Sequence, residues 1–169
     1  MKTVLVVEDD ENDLHMMKMA CQRTGIPHLF QGVQDGEAAV DYLSGAGAFA
    51  NRSVHPVPHL VFLDIGLPTL DGHQVLEWIR SQPQFKNLPV VMTTHSTHQQ
   101  DMDRAYKLGV TSYLRKVSSP AEFGQAVRII LKYWLEINLA PPPPVEKTAA
   151  AGLDELNGAA APHGKKLPS

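Results

Sequence analysis

Leu60-Val61-Phe62-Leu63-Asp64 is the stretch of sequence that decides the fold. Four consecutive apolar residues end abruptly in an acid, which is typical of a strand buried on both faces of a parallel sheet. Similar short runs occur at residues 4–7, 90–92 and 112–114, and a weaker one at residues 29–33. The sequence therefore predicts five short, buried strands.

Segments with helical periodicity separate these strands. Apolar residues recur at spacings of three and four after Asp10, Asp35 and Asp71, before Gly109, and again after Pro120. A strand followed by a helix, repeated five times, predicts an α/β fold with a doubly wound, five-stranded parallel sheet. In such a sheet, ligands bind beyond the carboxyl ends of the strands.

Length and composition set the outline of the chain. Its 169 residues carry 15 Lys+Arg and 18 Asp+Glu, a formal net charge of −3. We expect one domain over residues 1–139 and a disordered tail over residues 140–169, which are rich in Pro, Ala and Gly. The charge balance argues against nucleic-acid binding, and no apolar run is long enough to span a membrane. A single cysteine excludes an internal disulfide, so we expect a cytoplasmic protein.

Polar side chains follow four of the predicted strands. Glu8-Asp9-Asp10 follows the first strand, Asp64 the third, Thr94 the fourth and Lys116 the fifth. Parallel strands end at one edge of the sheet, so these groups are expected to meet there. Crowded carboxylates repel one another, and Mg²⁺, a hard cation that prefers oxygen ligands, would relieve that conflict. Such a site can hold a phosphoryl group on a carboxylate.

These blocks carry a family resemblance. Glu8-Asp9 after an apolar strand, Asp64 within Val61–Pro68, Thr94 after Pro89–Met92, and Lys116 after Tyr113-Leu114-Arg115 resemble the receiver domain of two-component response regulators. All four blocks occur in the family's order and spacing over about residues 2–138. The resemblance implies the flavodoxin-like, or CheY-like, receiver fold.

The resemblance also implies a role for each of these residues. Asp64 would be the phosphoacceptor, Lys116 would pair with the phosphoryl group, and Thr94 would move to bond it. Tyr113 would be the aromatic switch residue that turns inward with Thr94. The Mg²⁺ ligands would be Asp9, Asp64, the backbone carbonyl of Gly66 and, through a water molecule, Glu8.

A narrower resemblance is to single-domain regulators that partner phytochrome histidine kinases. It rests on a long insertion at residues 46–58, on Asp41-Tyr42-Leu43, on Thr93-Thr94, and on Tyr133-Trp134-Leu135-Glu136 in the last helix. It implies a phytochrome-type kinase as phosphoryl donor and an unknown downstream protein as target.

Three residues depart from the family pattern. Val117 stands where receivers usually have proline, which predicts a trans peptide bond and a shifted loop after Lys116. His95 replaces a usually small residue and is expected to restrict access to the site. Gly66 lacks a side chain where relatives have a larger one.

The last helix carries more apolar surface than one face can bury. Its predicted core stripe is Phe123, Ala126, Val127, Ile130, Trp134 and Ile137. Further apolar residues, including Ile129 and Tyr133, lie outside that stripe, which predicts a partner. We expect a homodimer through Ile129, Tyr133, Trp134 and Ile137, the alternative being cover by the chain's own tail.

Three functions remain open from the sequence. The leading one is a signalling receiver that is phosphorylated by a histidine kinase and is not itself an enzyme. A Mg²⁺-dependent phosphatase with an aspartyl nucleophile is a second, although Ile65-Gly66 leaves no acid two residues after Asp64. A degenerate receiver that only binds partners is the third, supported by His95 and Val117.

Overall fold

The computed structural model describes residues 1–117 and 119–139. The predicted tail at residues 140–169 lies outside the described residues. In the described part of the chain, no helix is long and apolar enough to cross a membrane.

Five parallel strands form a single sheet in the order β2-β1-β3-β4-β5. The strands are β1 (Thr3–Val7), β2 (Leu29–Val33), β3 (Leu60–Asp64), β4 (Val90–Thr94) and β5 (Ser112–Arg115). The order reverses at β1, because β2 lies on one side of it and β3 on the other. The predicted parallel, doubly wound sheet is confirmed.

Five helices connect and cover the strands. They are α1 (Glu11–Arg23), α2 (Gly36–Ser44), α3 (Gly72–Ser81), α4 (Gln99–Lys107) and α5 (Pro120–Leu131). Three of them begin after an aspartate whose side chain accepts backbone N–H groups of the first turn, namely Asp10, Asp35 and Asp71. Such caps satisfy donors that have no partner within the helix. The acids that mark the helix starts in the sequence therefore have a local structural cause.

Side chains alternate between the two faces of the sheet. Val4, Val6 and Phe62 pack with α1 and α5, whereas Leu5, Val61 and Leu63 pack with α2 and α3. All six are at most 2% exposed. Both faces of the central strands are thus buried, which is why they read as continuous apolar runs.

The loop between β3 and α3 depends on Gly72. Its N–H donates to the Ile65 carbonyl at 3.0 Å. A Cβ at this position would lie 2.1 Å from the backbone oxygen of Asp64. Only glycine allows the helix to start this close to the strand end that carries Asp64.

Ring contacts and hydrogen bonds hold the insertion between α2 and β3. It contains a 3₁₀ turn over Gly47–Phe49, and the Tyr42, Phe49 and His55 rings pack together at centroid distances of 5.2–5.8 Å. Arg52 donates to the carbonyls of Tyr42 and Leu43 at 2.7 Å. The arginine therefore completes the C-terminus of α2, where helical carbonyls lack partners.

The last helix differs from its predicted register. After α5 the chain continues as a π-helical segment, Lys132–Ile137, in which the Asn138 N–H donates to the Tyr133 carbonyl at 2.7 Å. The wider turn rotates the helix face. Leu131, at the end of α5, is in the core, and within the π-helical segment Leu135 is buried. Ile137, assigned to the core stripe by its spacing, is 59% exposed.

Candidate functional site

Four buried polar side chains gather at the carboxyl edge of the sheet. Glu8 follows β1, Asp64 ends β3, Thr94 ends β4 and Lys116 follows β5. Each is at most 7% exposed. The parallel strands bring these residues together from positions up to 108 apart in the chain.

Lys116 is the centre of this group. Its Nζ lies 2.5 Å from Glu8 Oε2, 2.8 Å from Asp64 Oδ1 and 2.9 Å from Asp13 Oδ2. An ammonium group has three N–H donors. Three carboxylates therefore occupy all of them, and a net negative charge remains around the ammonium.

A second acidic group overlaps the first. Carboxylate oxygens of Glu8, Asp9 and Asp64 all lie within 4.8 Å of one another. Asp9 is exposed, whereas the other two are buried. Clustered oxygens at a solvent-facing edge suit a hard divalent cation that keeps some of its waters. The donor set and its excess negative charge fit a divalent metal.

Burial and pairing shift the pKa values of these groups. Burial raises the pKa of Glu8 to about 7, against the opposing effect of Lys116. Burial disfavours the charged form of Lys116, but hydrogen bonds to Asp64, Glu8 and Asp13 raise its pKa above the ordinary value. Lys116 is therefore a permanent cation, whereas burial makes Glu8 harder to ionise than an ordinary glutamate.

Local hydrogen bonds orient the acids. The Gly66 N–H donates to Asp64 Oδ2 at 2.6 Å, which leaves Oδ1 for Lys116. Asp10 points away from the cluster, because its carboxylate caps α1 through the N–H groups of Asn12 and Asp13. The two neighbouring acids Asp9 and Asp10 thus have different surroundings.

The loop after β4 is folded on itself. Thr94 Oγ1 accepts the Ser96 N–H at 2.9 Å, and the Ser96 hydroxyl donates to Asp101 Oδ2 at 2.8 Å. His73 Nε2, buried on α3, lies 2.9 Å from the Asp101 carbonyl. The hydroxyl of Thr94 is therefore held within its own loop.

Tyr113 lies next to this loop, on β5. Its hydroxyl is buried and has no hydrogen-bond partner among the described residues. Burial and the nearby charge of Asp101 raise the pKa of Tyr113, and the neighbouring Thr94 side chain opposes that rise. A buried hydroxyl without a partner costs about 1–3 kcal/mol, so this position of the ring is one that a new partner would stabilise.

The departures from the family pattern leave the site intact. The described peptide bonds are all trans, as Val117 predicts, and Lys116 still reaches Asp64. His95 extends into solvent, with its side chain 66% exposed, and its Nε2 lies 2.9 Å from Asp13 Oδ2.

Asp13 is a residue of the site that the sequence reasoning missed. It lies in the first turn of α1, where an acid is ordinarily explained by the helix dipole. Its position four residues after Asp9, one helical turn further on, was the available signal. Although burial opposes its ionisation, hydrogen bonds from Lys116 and His95 lower the pKa of Asp13.

Comparison with known proteins identifies the family. A sequence profile described as "Response regulator receiver domain" matches residues 4–128. The chain belongs to the receiver family of response regulators. Receiver domains as a family are signalling modules, and they bind a divalent metal.

Several relatives resemble this receiver over most of their length. The probable methanogenesis regulatory protein FilR2 of Methanothrix harundinacea is 38% identical, over 83% of this chain and 88% of that protein. Response regulator Rcp1 of Synechocystis is 34% identical, over 83% of this chain and 93% of that protein.

Solved structures share the receiver's fold. The phosphorylated cyanobacterial phytochrome response regulator RcpA is 34% identical, with a TM-score of 0.77 over 83% of this chain and 98% of that one. A Mn²⁺-bound form of Rcp1 is 33% identical, with a TM-score of 0.76 over 83% of this chain and 99% of that one. This receiver is thus related to phytochrome response regulators.

Proposed function

We propose that this receiver accepts a phosphoryl group on Asp64 from a histidine kinase, in a Mg²⁺-dependent reaction in the cytoplasm, and signals by protein contact. The observation that supports this most directly is the surroundings of Asp64. One of its carboxylate oxygens lies 2.8 Å from the Lys116 ammonium, and the same carboxylate belongs to the acidic cluster with Glu8 and Asp9. A nucleophile, a cation and an acidic metal cradle are the parts that phosphoryl transfer needs.

The chain's own residues divide this work. Asp64 attacks phosphorus through a carboxylate oxygen, a P–O bond forms, and the P–N bond to the kinase histidine breaks as the imidazole leaves and takes up a proton. Lys116 neutralises charge on the phosphoryl oxygens, and Thr94 hydrogen-bonds one of them. Asp9, Asp64, the Gly66 carbonyl and, through water, Glu8 would hold the metal, which supplies further charge neutralisation.

Tyr113 and Thr94 would change conformation when Asp64 is phosphorylated. The Thr94 hydroxyl now bonds the Ser96 N–H, so turning it to a phosphoryl oxygen would remodel the loop after β4. Tyr113, whose buried hydroxyl is unsatisfied, would settle into the rearranged loop. The charge of the phosphoryl group would thereby shift the loop after β4 and Tyr113 between two arrangements.

We propose a phytochrome-type histidine kinase as the donor. The support is the relationship to RcpA, a phosphorylated cyanobacterial phytochrome response regulator, and to RPA3017, which acts in red light signaling of R. palustris and is 31% identical. The downstream target would be a protein.

A homodimer through the last helix remains part of the proposal. Ile129, Tyr133 and Ile137 are 62%, 48% and 59% exposed, whereas Trp134 is half-buried against the chain's own core. Sedimentation of the full chain and of Ile129→Asp would test it: loss of a dimer in the variant supports this interface, and a monomeric parent chain contradicts it.

Intact mass after incubation with Mg²⁺ and acetyl phosphate tests the phosphoacceptor. We expect a gain of one phosphoryl group that is absent in Asp64→Asn and in the presence of a chelator. Asp103→Asn, an exposed acid on α4, is the matched control and should react like the parent chain.

Two results would favour the alternatives. Sustained release of phosphate with no accumulating adduct would indicate a phosphatase. No adduct under conditions in which another receiver reacts would indicate a degenerate receiver that acts only by binding.

A further inference from the structure

Asp13 and His95 form a connection for which the proposed function has no role. A single oxygen, Asp13 Oδ2, accepts from His95 Nε2 and from Lys116 Nζ, each at 2.9 Å. The pair joins the first turn of α1 to the loop after β4, although the residues are 82 positions apart. It thus links two elements that flank Asp64.

The bond from Lys116 to Asp13 limits what the ammonium can do. Its three donors point at Glu8, Asp64 and Asp13. A phosphoryl group on Asp64 needs at least one of them, and Lys116 has to shift toward the new oxygens to provide it. An Asp13 carboxylate held in place from its other side by His95 opposes that shift.

His95 also follows Thr94 directly in the chain. Thr94 Oγ1 is now bonded within its loop to the Ser96 N–H. When Thr94 turns to a phosphoryl oxygen, the backbone that carries His95 moves with it. The contact between His95 and Asp13 therefore belongs to the unphosphorylated arrangement of the loop.

We propose that Asp13 and His95 form a latch that holds Lys116 and the loop after β4 in the unphosphorylated arrangement, and that opening this latch is a step that slows phosphorylation of Asp64. Asp13 is a positioning residue, because it acts through Lys116. The proposal rests on the proposed phosphorylation of Asp64. It assigns to His95 a hydrogen-bonding role in addition to the steric one expected from its size.

Substitutions at His95 separate the latch from steric access. The initial rate of adduct formation with Mg²⁺ and acetyl phosphate is measured by intact mass. His95→Leu keeps the bulk and removes the donor, so we expect about a twofold to fivefold faster reaction, the range that a hydrogen bond from a mostly exposed side chain to a carboxylate supports. His95→Gln keeps a donor for Asp13 and should react at nearly the parent rate.

A double-mutant cycle tests the partner. Asp13→Ala should accelerate the reaction at least as much as His95→Leu, and His95→Leu should then have no further effect in the Asp13→Ala chain. His98→Leu and Glu11→Gln are matched controls, because both residues are exposed, on the same loop and the same helical turn respectively. Neither should change the rate.

The outcomes are distinguishable. If the parent chain forms no adduct while a reference receiver does, the proposed function itself is wrong. If it reacts and His95→Leu matches it while a smaller side chain, His95→Ala, is faster, His95 acts by bulk alone and the latch is wrong. The latch is also wrong if His95→Leu accelerates equally with and without Asp13.

Discussion

The two ends of the sheet use their cations in different ways. At the amino edge, Arg80 donates to the carbonyls of Gly109, Phe85 and Leu88 at 2.7, 3.3 and 3.0 Å, and Arg52 completes the end of α2 in the same manner. At the carboxyl edge, Lys116 is surrounded by carboxylates.

The difference between these partners is one of charge balance. Carbonyl groups are neutral dipoles, so several can share one guanidinium without repelling one another strongly. Carboxylates repel one another, and a single ammonium cannot neutralise three of them. The cations at the amino edge thus need no further partner, whereas the carboxylates at the carboxyl edge need a further cation to balance their charge. Repulsion of this kind between like charges is retained at functional sites.

Close packing at the carboxyl edge should make Gly72 intolerant of substitution. Gly72→Ala places a methyl group 2.1 Å from the Asp64 backbone oxygen, and we expect a loss of about 3 kcal/mol in the free energy of unfolding. Gly124→Ala, in the middle of α5, meets nothing within 4 Å and should stabilise by about 0.5–1 kcal/mol. Urea unfolding measures the free energy of unfolding of both variants. Equal effects of the two substitutions would contradict this account of Gly72.

The charge conflict itself should be visible as a pH dependence in metal-free buffer. The pKa of Glu8 is about 7 in the folded chain, against 4.5 as its ordinary value. Between these values the native state binds the proton and the unfolded state does not, so the free energy of unfolding falls as pH rises, by about 3 kcal/mol. Denaturant unfolding at a series of pH values measures it.

Glu8→Gln should remove that fall, whereas Glu11→Gln, an exposed acid on α1, should keep it. The histidines titrate in the same range, so the informative quantity is the difference between each variant and the parent chain. If the free energy of unfolding depends on pH in the same way in the parent chain and in Glu8→Gln, the pKa of Glu8 is not raised in the folded chain.

Substitutions of Arg80, at the amino edge, should change stability and leave the rate of phosphorylation unchanged. Arg80→Ala leaves three carbonyls in two connections without their donor, and we expect a loss of about 2 kcal/mol in the free energy of unfolding. Arg80→Lys should recover part of it, and Arg104→Ala, exposed on α4, should change little. A changed rate of Asp64 phosphorylation in folded Arg80→Ala would show that the amino edge also affects the site at the carboxyl edge.

A strained residue beside the site should give the smallest effect. Thr69, between β3 and α3, has a φ of 64°, a conformation that a β-branched residue rarely adopts. Thr69→Asn should stabilise by about 1 kcal/mol, since asparagine tolerates this region. Thr69→Val keeps the strain and serves as the control in thermal unfolding. No gain from asparagine would show that the loop carries no strain there.

Much of the fold was predictable because its signals are local. The strand ending in Asp64 is a run of four apolar residues followed by that acid. The helices after Asp10, Asp35 and Asp71 start with caps that bond N–H groups two or three residues further along the chain. Apolar runs and helix caps each involve only a few consecutive residues, so both are visible in the sequence.

The last helix shows where local reading fails. Its spacing placed Ile137 in the core, but the π-helical turn over Lys132–Ile137 rotates the face and buries Leu135 instead. The i, i+3, i+4 rule assumes a constant number of residues per turn, and packing against the sheet decides whether the turn widens.

The sequence by itself determined which residues would meet at the carboxyl edge, because strand direction and strand ends dictate that Glu8, Asp64, Thr94 and Lys116 share it. Only the tertiary structure decided how they pair: that Lys116 divides its three donors among three acids, and that Asp13 and His95, 82 residues apart, share one oxygen. Hydrogen bonds act over about 3 Å, and distances that short between remote residues are decided by the packing of whole helices on the sheet.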